Sequence, residues 1–258
     1  MQRNLALGLF ACFLMVPALV ACGDDDDDSG APDATAGGTS TPTTSSANPG
    51  TSPMLDEPAS KYAITVEDLV ERMGFVWITS LNSVYVLTVD NYAGTRTFPS
   101  ENEGRSLLEQ WGWKGGYETG YTPEGGDTAV LNGGYYVHQE CHIFGSEDGA
   151  KEAYQWMVNR AQRVPGQDPV TLEPIGNESV AFVANVGNIG NSPVVATYHQ
   201  VIFRRGNVVS IVVTKGSQGF MKVDTARDLS AITDGKALGQ IPAVEPTPIA
   251  NYTPPAGN

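Results

Sequence analysis

The sequence predicts an α+β domain, an antiparallel sheet with helices packed on it, forming one globular unit after a disordered tether. Three observations lead there. Two apolar segments, 196–204 and 208–214, meet across Arg205-Gly206-Asn207, where Gly and Asn tolerate the positive φ that a tight hairpin demands. Val208, Val209, Ile211, Val212 and Val213 place apolar groups on both faces of the second segment, so that strand is central and needs helices on each side. Capped amphipathic segments precede, separate and follow the strands in an order that fits α+β rather than a regular βαβ alternation.

The helices are read from their ends. Thr65, before Val66-Glu67-Asp68, caps a first helix that Gly74 stops. Ser100 with Glu103 three residues on is a capping box just after Pro99, and Gly112 ends that second helix. A third starts after Ser146, with Ala150, Ala153, Tyr154, Met157 and Ala161 on one stripe at 3.6 periodicity. The fourth runs from Val223 through Ala226, Leu229 and Thr233 and weakens at Gly235. Strands are expected over 75–79, 84–89, 129–144 with a break at Gly133-Gly134, 179–184, and the hairpin pair. The Pro/Gly-rich loops 164–176 and 185–193 are expected to frame the cleft.

The organisation of the chain is read from its ends. Arg3 precedes an apolar run from Leu5 to Val20 that closes on Leu19-Val20-Ala21-Cys22, the pattern of a signal peptide ending in a lipobox over residues 1–21. Cys22 then becomes the new N-terminus and carries acyl chains, each buried CH₂ contributing about 0.8 kcal/mol of membrane affinity. As a membrane span the run is short of the roughly 20 residues a bilayer core needs, and Pro17 interrupts it. Residues 22–60 are Asp, Gly, Ser, Thr, Pro and Ala with almost nothing able to enter a core, which reads as a disordered tether. A flexible chain of that length has an r.m.s. span of about 35 Å. Residues 61–240 form the domain, and 241–258 a matching Pro-rich disordered tail.

Charge and cysteine content narrow the function. The full chain carries −14, and removing residues 1–21 discards one base, Arg3, and no acid, leaving −15. That excess excludes nucleic acid as a partner and argues against docking of the folded part on anionic lipid. Of three cysteines, Cys12 leaves with the signal and Cys22 is the anchor, so Cys141 has no partner for an intramolecular disulfide.

A resemblance is carried by Leu107-Leu108-Glu109-Gln110-Trp111-Gly112-Trp113-Lys114-Gly115-Gly116-Tyr117, by Phe144-Gly145-Ser146 leading into Ala150, by Ile175-Gly176-Asn177-Glu178-Ser179, and by Phe203-Arg204-Arg205-Gly206-Asn207-Val208-Val209. Over residues 107–238 the chain resembles the extracellular sensor domain of PknH-like bacterial receptor kinases and lipoprotein relatives of it. The resemblance implies an antiparallel sheet with packed helices and a cleft for a small ligand. It lies in helix caps, a hairpin and a glycine turn, and no kinase domain accompanies it here.

Two sets of residues are candidates for chemistry. In Val137-His138-Gln139-Glu140-Cys141-His142, a strand places His138, Glu140 and His142 on one face and Cys141 on the other. Alternate strand residues are about 6.7 Å apart, so the two histidines are about 13 Å apart, long for one ion with bonds of about 2.1 Å. A bend, or His199 from elsewhere, would be needed for metal; the plainer reading is a polar strand face. Cys141 reads as a buried structural thiol, since both histidines lie across its strand. Trp111, Trp113, Tyr117 and Tyr121, interleaved with Gly112, Gly115, Gly116 and Gly120, are candidates to stack on a sugar or an apolar ligand, with core packing as the alternative. Trp77 and Trp156 read as core.

The resulting expectation is a membrane-anchored, extracytoplasmic lipoprotein whose domain binds or senses a small molecule, sugar or lipid, with no cofactor and no catalytic residues. An envelope hydrolase is the alternative and requires Glu140, Glu178 and Asp127 to converge; a structural, partner-binding envelope protein is the third.

Overall fold

A computed structural model describes residues 52–75 and 78–246, with the backbone alone over 78–84. The signal peptide, Cys22, nearly all of the tether, Trp77 and the tail beyond residue 246 lie outside the described residues. The elements are β1 (Ile78–Leu87), α1 (Val89–Tyr92), α2 (Glu101–Gln110), β2 (Trp113–Pro123), α3 (Asp127–Leu131), β3 (Tyr136–Phe144), α4 (Glu147–Ala161), β4 (Gln167–Val170), β5 (Glu178–Asn188), β6 (Val195–Arg205), β7 (Val208–Ser217) and α5 (Val223–Ala237). One antiparallel sheet takes all seven strands in the order β1-β2-β3-β7-β6-β5-β4. The fold is therefore the expected α+β domain. β7 stands fourth of seven, as its two-faced apolar pattern demands, and Gly206 turns the hairpin before it at φ +55°.

The first face of the sheet carries α4, α2 and the α1 turn. Phe144, Val180, Phe182, Ile202 and Val209 rise from the strands to meet Ala150, Ala153, Tyr154, Met157 and Ala161 of α4, the predicted stripe, together with Leu108, Trp111, Tyr92 and Phe98. Ser146 caps α4 by accepting from the Gly149 N–H at 3.0 Å, and Ser100 caps α2 by accepting from Glu103 at 3.2 Å. Gly149 is fixed by crowding, since a Cβ there would stand 2.0 Å from the Trp111 carbonyl oxygen.

The second face carries α5 and the N-terminal segment. Leu229 and Ile232 of α5 pack with Tyr121, Val137 and Val212 of the sheet and with Ile64, Val66 and Leu69. The contacts begin ahead of residue 61. The Leu55 N–H donates to Asn207 Oδ1 at 2.8 Å, and Asn207 returns a bond to the Leu55 carbonyl at 2.9 Å. Farther along, Ile64 N–H reaches Gln139 Oε1 at 2.6 Å, and the Tyr121 hydroxyl donates to the Ile64 carbonyl at 2.6 Å. Thr65 caps its helix by accepting from Asp68 N–H, while Asp68 accepts from Thr65 N–H, a reciprocal box; the helix takes a π turn over Asp68–Arg72 and stops at Gly74, φ +67°. The tail begins on this face too, with Ile241 against the second-face core and Glu245 accepting from Ser60.

Several elements differ from expectation. Residues 127–131 are helical, where a strand from 129 was expected; Gly133 and Gly134 separate α3 from a strand that starts at Tyr136. The strands expected over 75–79 and 84–89 are one bulged strand, β1. β2 was read as a glycine-interrupted aromatic cluster and β4 as loop.

Candidate functional site

The register of β2 against β3 builds the site. Glu118 pairs with Glu140, Gly116 with His142 and Gly120 with His138, so a carboxylate of β2 joins the His-Glu-His face of β3. Glu118 Oε1 lies 3.2 Å from His138 Nε2, and Glu140 Oε2 lies 3.2 Å from His142 Nε2. One ligand atom from each of Glu118, His138 and Glu140 falls within 4.8 Å of the others. The expected trio is thus rearranged: His142 stands outside this cluster and Glu118 inside it.

His142 is fully buried and held from two sides. The Trp113 indole Nε1 lies 3.3 Å from His142 Nδ1, and an indole N–H only donates, so Nδ1 accepts and the imidazole proton sits on Nε2, aimed at Glu140. The Tyr92 hydroxyl donates to the same oxygen, Glu140 Oε2, at 3.2 Å. Tyr92 stacks on Trp113 at 5.6 Å and leans on His142 at 5.1 Å between ring centroids. Gly116 is required here because a Cβ would stand 2.7 Å from His142 Nδ1.

Burial pushes the Glu140 carboxyl up, but the hydrogen bond from His142, the charge of His138 and the Tyr92 hydroxyl outweigh it and hold it below the usual range. For His138, burial works downward, and the Glu118 hydrogen bond with the charges of Glu140 and Glu118 reverses that, leaving it raised. Tyr92 is pushed well up, first by burial and then by Glu140. The polar row grades from a sealed inner end at His142 to a half-open outer end, where the side chains of Glu118 and Glu140 are 26% and 21% exposed.

Beyond this row the first face continues in half-buried strand residues. Val213 and Gln200 pair across from His138, and Lys215 and Tyr198 across from Tyr136; all six except His138 are half-buried. Lys215 Nζ lies 5.1 Å from the Tyr136 ring centre and 5.8 Å from that of Tyr198. Gln167 on β4 donates to Gln200 at 2.6 Å. At one end α1, α2 and α4 close over the sheet; at the other, Val130 and Leu131 of α3 and Ile189 pack on Ala196, Tyr136 and Tyr198. The result is a stretch of half-buried strand residues of β2, β3, β7 and β6 between the two packed ends.

The four aromatic candidates do not gather in it. Trp111 is core against Phe98 and Trp156, while Tyr117 and Tyr121 point to the opposite face, under the N-terminal segment. Trp113 alone reaches the polar row. His199 pairs with Thr214 on that opposite face, so it does not join His138. Cys141 is also there, fully buried among Tyr62, Ala63, Tyr117, Ile143 and Val208, and burial pushes its thiol up to about 12. The three hydrolase carboxylates stand apart, Glu178 on Arg204 at 2.8 Å and Asp127 on the Tyr136 hydroxyl at 3.0 Å. Arg204 and Arg205 meet the chain's own acids: Arg204 also reaches Glu147 at 3.0 Å, and Arg205 is bidentate on Asp234 at 2.6 and 2.8 Å.

Sequence reasoning missed Glu118, Tyr136, Tyr198, Gln200 and Lys215. The signal was present for Tyr198 and Gln200, which share a face of the strand read as 196–204, whereas Lys215 lies one residue beyond the strand read as 208–214.

Among the described residues no helix is long and apolar enough to cross a membrane. No protein-family model matches the chain, and no curated protein matches it. In its fold the chain is similar to the extracellular domain of PknH from Mycobacterium tuberculosis, at 15% identity and a TM-score of 0.42, covering 72% of this chain and 98% of that one.

Proposed function

We propose that this chain is an extracytoplasmic lipoprotein, anchored through Cys22, whose domain binds a small polar ligand in the cleft between α4 and α3. The carrying observation is the row of strand residues that would form its floor. Its charged and aromatic side chains stand half-open on rigid strands, whereas Arg204, Arg205 and Lys236 are each closed off by a partner carboxylate. Acidic Glu118 and Glu140 lie toward one end and the Lys215 ammonium, flanked by two tyrosine rings, toward the other. This fits a ligand with a planar ring or sugar face and polar groups at both ends. Binding rather than hydrolysis is favoured because the carboxylates a hydrolase would need are spread over separate partners.

Two measurements test the two halves of this reading. Radioactive palmitate is expected to label the wild-type chain in its own cells and not Cys22→Ser, with added protease cleaving the domain on intact cells; unlabelled wild-type chain would refute the anchor. Native mass spectrometry of the domain extracted from its membrane is expected to show a bound small molecule that Lys215→Ala and Tyr198→Ala both release. A ligand retained by both variants would place binding elsewhere.

A further inference from the structure

We infer that Glu118, His138 and Glu140 form a binding site for one divalent cation of the zinc class. The inference deepens the reading of the cleft, since the site lies on its floor, but its chemistry stands on separate observations. The first is geometric. One imidazole nitrogen and two carboxylate oxygens lie within 4.8 Å of one another. Donors on a common ion at bonds of about 2.0–2.2 Å lie about 3.3–3.6 Å apart in a tetrahedral shell, so side-chain shifts that bring the donors about 1–1.5 Å closer close it.

The second observation is electrostatic. Glu118 and Glu140 are direct cross-strand partners, and like charges placed opposite each other on one face destabilise a strand pair. A cation between them converts that repulsion into attraction. The third is the support behind the ligands. Glu140 is oriented by His142 Nε2–H and the Tyr92 hydroxyl, and His142 is itself oriented by Trp113. Metal sites hold their first ligands with such bonds, and a carboxylate fixed this way loses little freedom when an ion arrives.

The donor set selects the ion. One nitrogen and two oxygens suit Zn²⁺, Co²⁺ or Mn²⁺, whereas Ca²⁺ takes six to eight oxygens. Three protein ligands leave a coordination position facing the half-open end of the row, where a carboxylate or hydroxyl of the cleft ligand, or water, completes the shell.

The test uses the mature chain stripped with EDTA and titrated calorimetrically with ZnCl₂, with CaCl₂ as the contrast. One equivalent of zinc is expected to bind at micromolar Kd or tighter, with calcium at least about 100-fold weaker. Glu118→Gln and His138→Gln are each expected to weaken zinc by at least about 100-fold, and Trp113→Phe, which removes only the outer support, by about 10-fold. Glu118 is partly exposed, so Glu118→Gln should melt with the metal-free wild type, which separates loss of a ligand from loss of the fold. Absence of zinc binding would overturn the inference, as would binding that survives both ligand substitutions, for example on the Asp24–Asp28 run. Zinc uptake with no small molecule in the cleft would leave the inference standing and refute the ligand reading; a ligand released by Lys215→Ala without zinc uptake would do the reverse.

Discussion

Asp68→Ala is expected to be among the most damaging single changes in this domain, and adding a second change is expected to repair part of the damage. Lys236 Nζ lies 2.6 Å from Asp68 Oδ2 and 2.6 Å from the Ala63 carbonyl, and its side chain is fully buried. Asp68 also accepts from Thr65 and from Arg72 Nε at 3.2 Å. Removing the carboxylate strands an ammonium with one neutral acceptor. The ceiling on the cost is the price of neutralising that lysine: from its ordinary 10.5 to pH 7 at 1.36 kcal/mol per unit, about 5 kcal/mol. Burial already pushes Lys236 below the ordinary range, against the pull of Asp68, so the expected cost is about 3–5 kcal/mol. Lys236→Met should cost only about 1–2 kcal/mol, since Asp68 keeps Thr65 and the half-exposed Arg72. The pair Asp68→Ala with Lys236→Met then loses the helix box but strands no charge, and should be more stable than Asp68→Ala alone by about 1–2 kcal/mol. Urea unfolding followed by tryptophan fluorescence measures all four proteins. A cost below about 1 kcal/mol for Asp68→Ala, or a double variant weaker than it, would refute the reasoning.

Two further outcomes follow from the buried groups. Cys141, with its thiol pushed up to about 12 in an apolar site, should not react with iodoacetamide at pH 8 in the native domain and should react fully in urea; native labelling within minutes would show that the second face opens. Glu147 is held below its ordinary 4.5 chiefly by its hydrogen bond to Arg204, with burial opposing, so the unfolded chain binds the proton more readily. Its contribution is present above pH 4.5 and lost as pH falls through the depressed value; because the side chain is 44% exposed it amounts to no more than about 1 kcal/mol. Glu147→Gln should lower stability at neutral pH by no more than about 1 kcal/mol and flatten the acid limb below pH 4.5, where the two proteins converge.

The elements legible in the sequence are those whose stability is local. Ser100 and Ser146 mark helix starts by their own hydrogen bonds, and Gly206-Asn207 marks the hairpin by backbone conformation alone. β2 was illegible because Gly115, Gly116 and Gly120 replace the branched residues that announce a strand. One of those absences has a structural reason three strands of pattern cannot supply: Gly116 makes room for His142. The N-terminal strap was missed for a related reason. Residues 52–60 are held by the side chains of Asn207, Glu147, Lys114 and Glu245, partners far along the chain that leave no periodicity behind.

The same distinction explains what could be read of the site. A strand period put His138, Glu140 and His142 on one face, which the structure bears out, but spacing within one strand overstates how a site is shared. His138 turns to Glu118 on the neighbouring strand, whereas His142 turns to Glu140, the next residue on its own face of β3. A site on a sheet draws on cross-strand neighbours at about 4.5–5.5 Å as well as on same-face residues about 6.7 Å along the strand, and only the second kind can be read from one strand's spacing. A histidine-rich strand therefore indicates which neighbours to seek. Here the neighbour that completes the cluster, Glu118, lies on the strand whose glycines hid it.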